Sequence, residues 1–328
     1  MSDNVSVYLA KRVGRFVFMM WALLTIIFFL FRVMPGDPTA MLVSGAFSEA
    51  ARQSMLENFG LTQPLWKQYL IFFEQAFAGN FGRSFFYKEP VLEVIVPRMV
   101  NTLLIMGPAL TIVMINAYYT GSYLGWNKGS VAERIGTYLP LSFRALPHFV
   151  LGLFLLMVFS YWLGWFPTGG MGPIGGKDLG VWETVTSPTF YRYAALPFAT
   201  ALFHYIGDPL LLMRGNIISE KNKEYIHLHE LKGLSERRVR EHAARNSLLP
   251  LLTWLTPMVG VAFGGQILIE VVFSWPGIGR ELVLAAQRQD FPVAQAAFFI
   301  IAAAVLATNL IVDLAYGYFD PRISYGEQ

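Results

Sequence analysis

The chain has 328 residues, of which 55% are hydrophobic and only 14% charged, against roughly 25% charged residues in a soluble globular domain. Its formal net charge of +3, with basic residues not interleaved with exposed aromatics, argues against nucleic acid as a partner. Cysteine is absent, which excludes disulfides, thiolate metal sites and cysteine nucleophiles.

A membrane-spanning helix needs roughly 20 predominantly apolar residues. Taken in chain order, six segments approach that length: Arg15–Val33, Thr102–Trp126, Leu139–Trp165, Tyr193–Met213, Leu248–Val272 and Val293–Phe319. The first follows Lys11, Arg12 and Arg15, an arrangement that a signal peptide shares. Its apolar run is long for a signal, however, and ends in Pro35-Gly36-Asp37-Pro38 rather than at a small-residue cleavage site, so an uncleaved anchor is expected. The stretch Pro35–Arg98 carries too many charges to span, yet holds amphipathic pieces at Ser48–Asn58 and Leu65–Phe77. It reads as a small folded element of short helices outside the membrane. The fourth span is the weakest, interrupted by His204, Asp208 and Pro209, while Pro147 and Pro257 interrupt two others. Membrane helices tolerate such breaks when neighbours satisfy the freed backbone groups. The expected fold class is therefore an all-α polytopic membrane protein. Its divisions are residues 1–33 (N-terminus and first span), 34–100 (external insertion) and 101–328 (a five-helix core with a loop at 214–247).

Lysine and arginine in short loops set orientation. Three basic residues precede the first span, two lie in Lys128–Arg134, and eight lie in Arg214–Arg245. With six spans these segments and both termini share one side, which is then cytoplasmic.

The Arg214–Arg245 segment is more than a topogenic loop. Helix formers flank Lys232-Gly233, Ser235 is placed as the N-cap of a second helix, and Pro250 suits the first turn of the next span. Gly233 then marks a sharp turn where positive φ costs little. The run Lys232-Gly233-Leu234-Ser235-Glu236-Arg237-Arg238-Val239, with Glu224-Tyr225 before it and Asn246 and Leu249-Pro250 after it, resembles the coupling loop of binding-protein-dependent ABC importer permeases. The form is that of the dipeptide/oligopeptide/nickel family and of its "B"-type permease subunit. The resemblance extends along nearly the whole chain. It takes in Pro35-Gly36-Asp37-Pro38, Phe81-Gly82-Arg83-Ser84, Asn101-Thr102-Leu103, Leu163-Gly164-Trp165 and Glu270. It continues through Trp275-Pro276-Gly277, Asp290, Asp313 and Asp320-Pro321-Arg322. The chain departs from the family at His229, Glu230 and Leu231, where small alanines and an arginine are usual.

The resemblance implies a permease subunit in the bacterial or archaeal inner membrane. It would pair with a second homologous permease, two cytoplasmic ATPases and an external substrate-binding protein. It implies no enzyme and no cofactor on this chain, with ATP and magnesium on the partner ATPases. Glu224, His229, Glu230, Lys232, Gly233, Leu234, Arg237 and Arg238 would couple to those ATPases. The cargo would be peptides or similar small solutes, with oligosaccharides and metal chelates as alternatives. Within the spans, Arg144, His148, Asp208 and Glu270 are candidates for a polar translocation path, since an unpaired charge at a helix centre costs roughly 2.5–3.5 kcal/mol on insertion scales. Pairing that only holds the bundle together is the other reading, and it extends to His204 and Asp313.

Other functions find little support. His229-Glu230 opens an H-E-x-x-H pattern, but Gly233 occupies the second histidine position. Gly175-Gly176-Lys177-Asp178 lacks the spacing and hydroxyl of a phosphate-binding loop, so ATP is expected on another polypeptide. No G-x-S-x-G elbow suggests a membrane hydrolase. A stand-alone secondary transporter would leave the basic loop unexplained, and no inverted repeat is visible. Gly260-x-x-x-Gly264 is a candidate for close helix packing.

Overall fold

The computed structural model describes residues 2–33, 63–173, 181–264 and 267–319. The expectations at Pro35–Pro38, Ser48–Asn58, Gly175–Asp178 and Asp320–Arg322, and for the side chain of Asp313, fall outside the described residues. In chain order the helices are α1 (Ser2–Val33), α2 (Leu65–Phe77), α3 (Val91–Trp126), α4 (Val131–Ala145), α5 (His148–Trp162), α6 (Val181–Thr186) and α7 (Pro188–Tyr205). They continue as α8 (Gly207–Lys221), α9 (Glu224–Leu231), α10 (Glu236–Asn246), α11 (Leu248–Gly264), α12 (Ile267–Val272), α13 (Ile278–Gln287) and α14 (Phe291–Phe319). Among the described residues there is no strand, only an isolated bridge between Arg83 and Pro90. The all-α polytopic expectation holds.

Four stretches are single helices long and apolar enough to cross a membrane: Ala10–Phe31, Val91–Trp126, Pro188–Lys221 and Phe291–Ile311. A shorter apolar helix covers Pro250–Ala262. The third expected span differs from the sequence reading. It begins earlier, at Val131, where Ser130 accepts a hydrogen bond from the Glu133 backbone N–H, and it bends by 98° between α4 and α5. The cause is Pro147, whose ring disfavours helical geometry at the preceding residue. Leu146 is accordingly extended, with φ −83° and ψ 136°. The fourth span runs further than expected, to Lys221. Its break is confined to Ile206, three residues before Pro209, which has no N–H to continue the ladder.

The chain divides into two compact bodies, Met1–Met99 with Gly277–Gln328, and Val100–Pro276. In the first, α1 packs along α14, with Phe31 against Phe291 and Phe298. There Asp290, 1% exposed, accepts hydrogen bonds from the backbone N–H groups of Phe85 and Phe86 and from the Ser84 hydroxyl, holding the loop before α3. Arg98 and Tyr87 both donate to Glu281 of α13. In the second body, an apolar core gathers Ile105, Met106, Leu151, Leu155, Phe190, Phe273 and Trp275.

Within the second body, α3 and α8 approach backbone to backbone. A Cβ at Gly121 would meet the Leu210 carbonyl at 2.9 Å, and one at Gly125 the Arg214 carbonyl at 2.6 Å. This small-x-x-x-small pair is what the contact requires. We therefore expect Gly125→Val to destabilise the protein by about 1–3 kcal/mol, the usual cost of overpacking, in thermal unfolding in detergent. Gly107→Val in the same helix meets nothing within 4 Å and should leave the transition nearly unmoved.

Candidate functional site

Two groups of residues singled out by the sequence meet in the second body. The first is the segment α9–α10. Lys232 ends α9 and Gly233 follows with φ +74°, in open space and with exposed neighbours, so the turn needs glycine for its backbone rather than for room. Ser235 stands at the N-cap of α10 with extended backbone, but its side chain makes no capping hydrogen bond, so the cap is positional only.

The segment is rooted by one apolar face. Ile226, Val239, Ala243 and Ala244 are buried with Ala117 and Trp126 of α3, Met213 and Ile217 of α8, and Leu251 of α11. Polar links reinforce this anchorage. The Trp126 indole N–H donates to Glu236 at 2.6 Å, and Lys221 donates to the Trp126 carbonyl at 3.0 Å with its ammonium 4.8 Å from the ring centre. Arg214 donates to Glu133 at 2.6 Å, tying α8 to α4. Tyr225 donates to Glu220 at 2.6 Å, and its burial, with that bond, holds its hydroxyl above the ordinary phenol range.

The opposite face is free of such contacts. Leu231 is 85% exposed, Leu228 is half-exposed, and Glu224, Glu230, Lys232, Arg237 and Arg238 are exposed. Leu234 and His229 are intermediate. Among the described residues Arg237 pairs along its own helix with Glu241, and His227 faces Glu230 one turn away. His229 lies against Tyr225 and, at 4.7 Å between ring centres, against exposed His242. All eight residues expected for coupling thus belong to one rigid, outward-facing knob. Of the segment's anchors, Trp126 and Glu133 were missed in the sequence because they lie outside the 214–247 loop, and Lys221, inside it, was counted only among its basic residues. The only sequence signal for them is the Gly121-x-x-x-Gly125 pair.

The second group lies near the middle of the Pro188–Lys221 span. Arg144 at the end of α4 forms an ion pair with Asp208 in the first turn of α8. His148, the first residue of α5, contacts His204 at 5.2 Å between ring centres. His204 lies beside Leu146, the residue left extended by the bend. Gly207 allows the approach, since the Pro140 carbonyl and the Arg144 side chain lie 3.3–3.6 Å from where a Cβ would sit. The bend at Leu146-Pro147 and the break at Ile206 therefore face each other. Arg144 and Asp208 keep 48% and 35% of their side-chain surface open, so the pair has a free side.

Glu270 has a different setting. It is 3% exposed and accepts a 2.6 Å hydrogen bond from Thr102, next to the point where Trp275 donates to the Asn101 carbonyl and Asn101 donates to the Pro276 carbonyl. That arrangement fixes the α12 end against α3.

Comparison with known proteins follows these lines. Residues 117–325 match the family described as the binding-protein-dependent transport system inner membrane component, and residues 5–106 match the N-terminal part of such membrane components. The chain is 31% identical over 323 residues to the oligopeptide transport system permease protein AppB of Bacillus subtilis, covering 98% of this chain and all of that protein. It is 35% identical over 312 residues to a putative peptide permease protein of Brucella suis, covering 93% and 95%. It is 29% identical over 320 residues to the glutathione transport system permease protein GsiC of Escherichia coli K12, covering 97% and 99%.

Replacing Trp126 by Phe keeps the buried ring and removes the N–H that Glu236 accepts. A net loss of about 1 kcal/mol for that hydrogen bond should raise hydrogen exchange across α9 and α10 roughly fivefold, measured by mass spectrometry, while α7 is unaffected.

Proposed function

This chain belongs to the family of inner-membrane components of binding-protein-dependent transport systems, and on that premise we propose that it carries peptides or closely related small solutes inward as a permease subunit of an ATP-driven importer. The relatives named for oligopeptide and glutathione transport support that cargo class. In this reading a second homologous permease completes the pathway, two cytoplasmic ATPases hold ATP and magnesium, and an external binding protein delivers the solute. No catalysis is assigned to this chain. Both termini and the α9–α10 segment lie on the cytoplasmic side, as the lysine and arginine bias directs.

One observation supports the mechanism most directly. The α9–α10 knob exposes Leu231, Lys232, Gly233, Arg237 and Arg238 on one side and buries Val239, Ala243 and Ala244 against α3, α8 and α11 on the other. A push delivered to the knob has a packed route into three membrane helices, since close-packed interiors transmit strain rather than absorb it. His229 and Leu231 make the knob bulkier than the alanines usual in the family, Glu230 puts an acid where arginine is usual, and together they adapt it to its own ATPase cleft.

The moving pathway has a natural joint where the α4–α5 bend meets the break at Ile206. Arg144, His148 and Asp208 line that joint, and we assign them to the polar path, where broken helices and paired charges mark substrate routes. Glu270, buried beside Thr102, acts at the path's boundary by holding α12 on α3 as the helices move.

Affinity purification of the tagged chain from mild detergent tests the reading. Recovery of a second permease and P-loop ATPases, with uptake into liposomes that needs ATP and a binding protein, is the expected result. A homo-oligomer that transports without ATP would overturn it. Gly233→Val forces a β-branched residue to positive φ, at a cost of about 1–2 kcal/mol, in a place with no steric neighbour. ATPase subunits should still co-purify while solute-stimulated ATP hydrolysis falls at least tenfold. Loss of the ATPases from the preparation would instead assign Gly233 to assembly.

A further inference from the structure

Helix α2 has three faces. One packs on α1: the Tyr69 hydroxyl and Thr25 Oγ1 are 2.7 Å apart, and Tyr69 and Phe72 lie against the Phe28 ring. A second carries Trp66, Leu70, Phe73 and Phe77 at helical spacing i, i+4, i+7, i+11. Of these Trp66 is 67% exposed, Leu70 56% and Phe77 70%. The third carries exposed Lys67 and Glu74. A helix in water would not be expected to leave four large apolar side chains on one stripe beside a face already packed.

The depth of the contact on α1 says what covers the stripe. The apolar stretch of α1 runs Ala10–Phe31. Thr25 and Phe28 lie six and three residues before its end, about 9 Å and about 4.5 Å inside it at 1.5 Å per residue. That is the depth, about 5–10 Å, at which interfacial amphipathic helices bury their apolar face at the boundary between headgroups and acyl chains. On α1 itself Ile26, Phe29 and Leu30 are exposed at the same level, as a lipid-facing helix requires.

We propose that α2 is an interfacial helix seated in the membrane leaflet at the C-terminal end of α1. Trp66, Leu70, Phe73 and Phe77 face acyl chains there, and Lys67 and Glu74 face headgroups and water. Its partner is lipid, and it braces α1 from the side instead of standing clear of the membrane. The outward-facing part of the external insertion expected from the sequence then excludes Leu65–Phe77.

The absence of cysteine from the chain makes a direct test simple. Single variants Trp66→Cys, Leu70→Cys, Phe73→Cys, Phe77→Cys, Lys67→Cys and Glu74→Cys are purified with their partners, spin-labelled and reconstituted in liposomes of phosphatidylethanolamine and phosphatidylglycerol. Relaxation by oxygen, which concentrates in lipid, is compared with relaxation by a water-soluble nickel chelate. The expected pattern is oxygen-dominated at 66, 70, 73 and 77 and nickel-dominated at 67 and 74. Nickel dominance along the stripe would place it in water. Protection from both reagents would show it covered by protein, either a partner or residues 34–62. Each of those two results overturns the proposal. Lys67→Cys and Glu74→Cys disturb no packed face, so they test it even where a stripe variant fails to fold.

Discussion

The close approach of α3 and α8 at Gly121 and Gly125 is the constraint on which the functional part of the molecule depends. With no Cβ at either position, the α8 backbone lies against α3, and between helices in lipid such packing, rather than hydrophobic burial, holds the pair together. That contact brings Met213 and Ile217 to Trp126 and builds the pocket into which Ile226, Val239 and Ala243 insert. The α9–α10 knob therefore stands on a seam between two long helices. Its exposed residues inherit the rigidity of that seam.

The same helices carry their irregularities at one place. Pro147 extends Leu146, and Pro209 interrupts the span after Tyr205. Each break frees backbone groups that hydrocarbon does not satisfy. Beside these breaks, Arg144 and Asp208 neutralise each other across the gap. The polar residues of the spans are thus tied to the breaks that need them.

Much of this was legible in the sequence. Apolar run lengths pointed to six spans, of which four are single helices long and apolar enough to cross a membrane among the described residues, and the amphipathic piece Leu65–Phe77 is a helix with those bounds. Gly233 was placed at a turn because few other residues accept φ near +74°. The residues expected for coupling stand out in the sequence because they are contiguous and their order is distinctive. The third span was read as starting too late, because its first turns, Val131-Ala132-Glu133-Arg134, look like a basic loop until Glu133 is seen paired with Arg214, 81 residues away. The glycine pair Gly260-x-x-x-Gly264, singled out for packing, falls outside the glycines whose surroundings are described. The close contact that is described, made by Gly121 and Gly125, has the same small-x-x-x-small pattern and was not singled out.

The sequence by itself determined that this is an all-helical membrane protein, its family and the helix–glycine–helix segment around Gly233. Each of these rests on local order: hydropathy over a window, charge in short loops, and a contiguous motif. Tertiary structure decided which charges pair, since Arg144 reaches Asp208 only where α4 crosses α8 beside Gly207. It also decided that α2 lies along α1 at the level of Thr25, and that Trp126 anchors a helix 110 residues further on. Those outcomes depend on where one helix crosses another. A periodic apolar pattern specifies a face to be covered, and the crossing geometry alone selects what covers it.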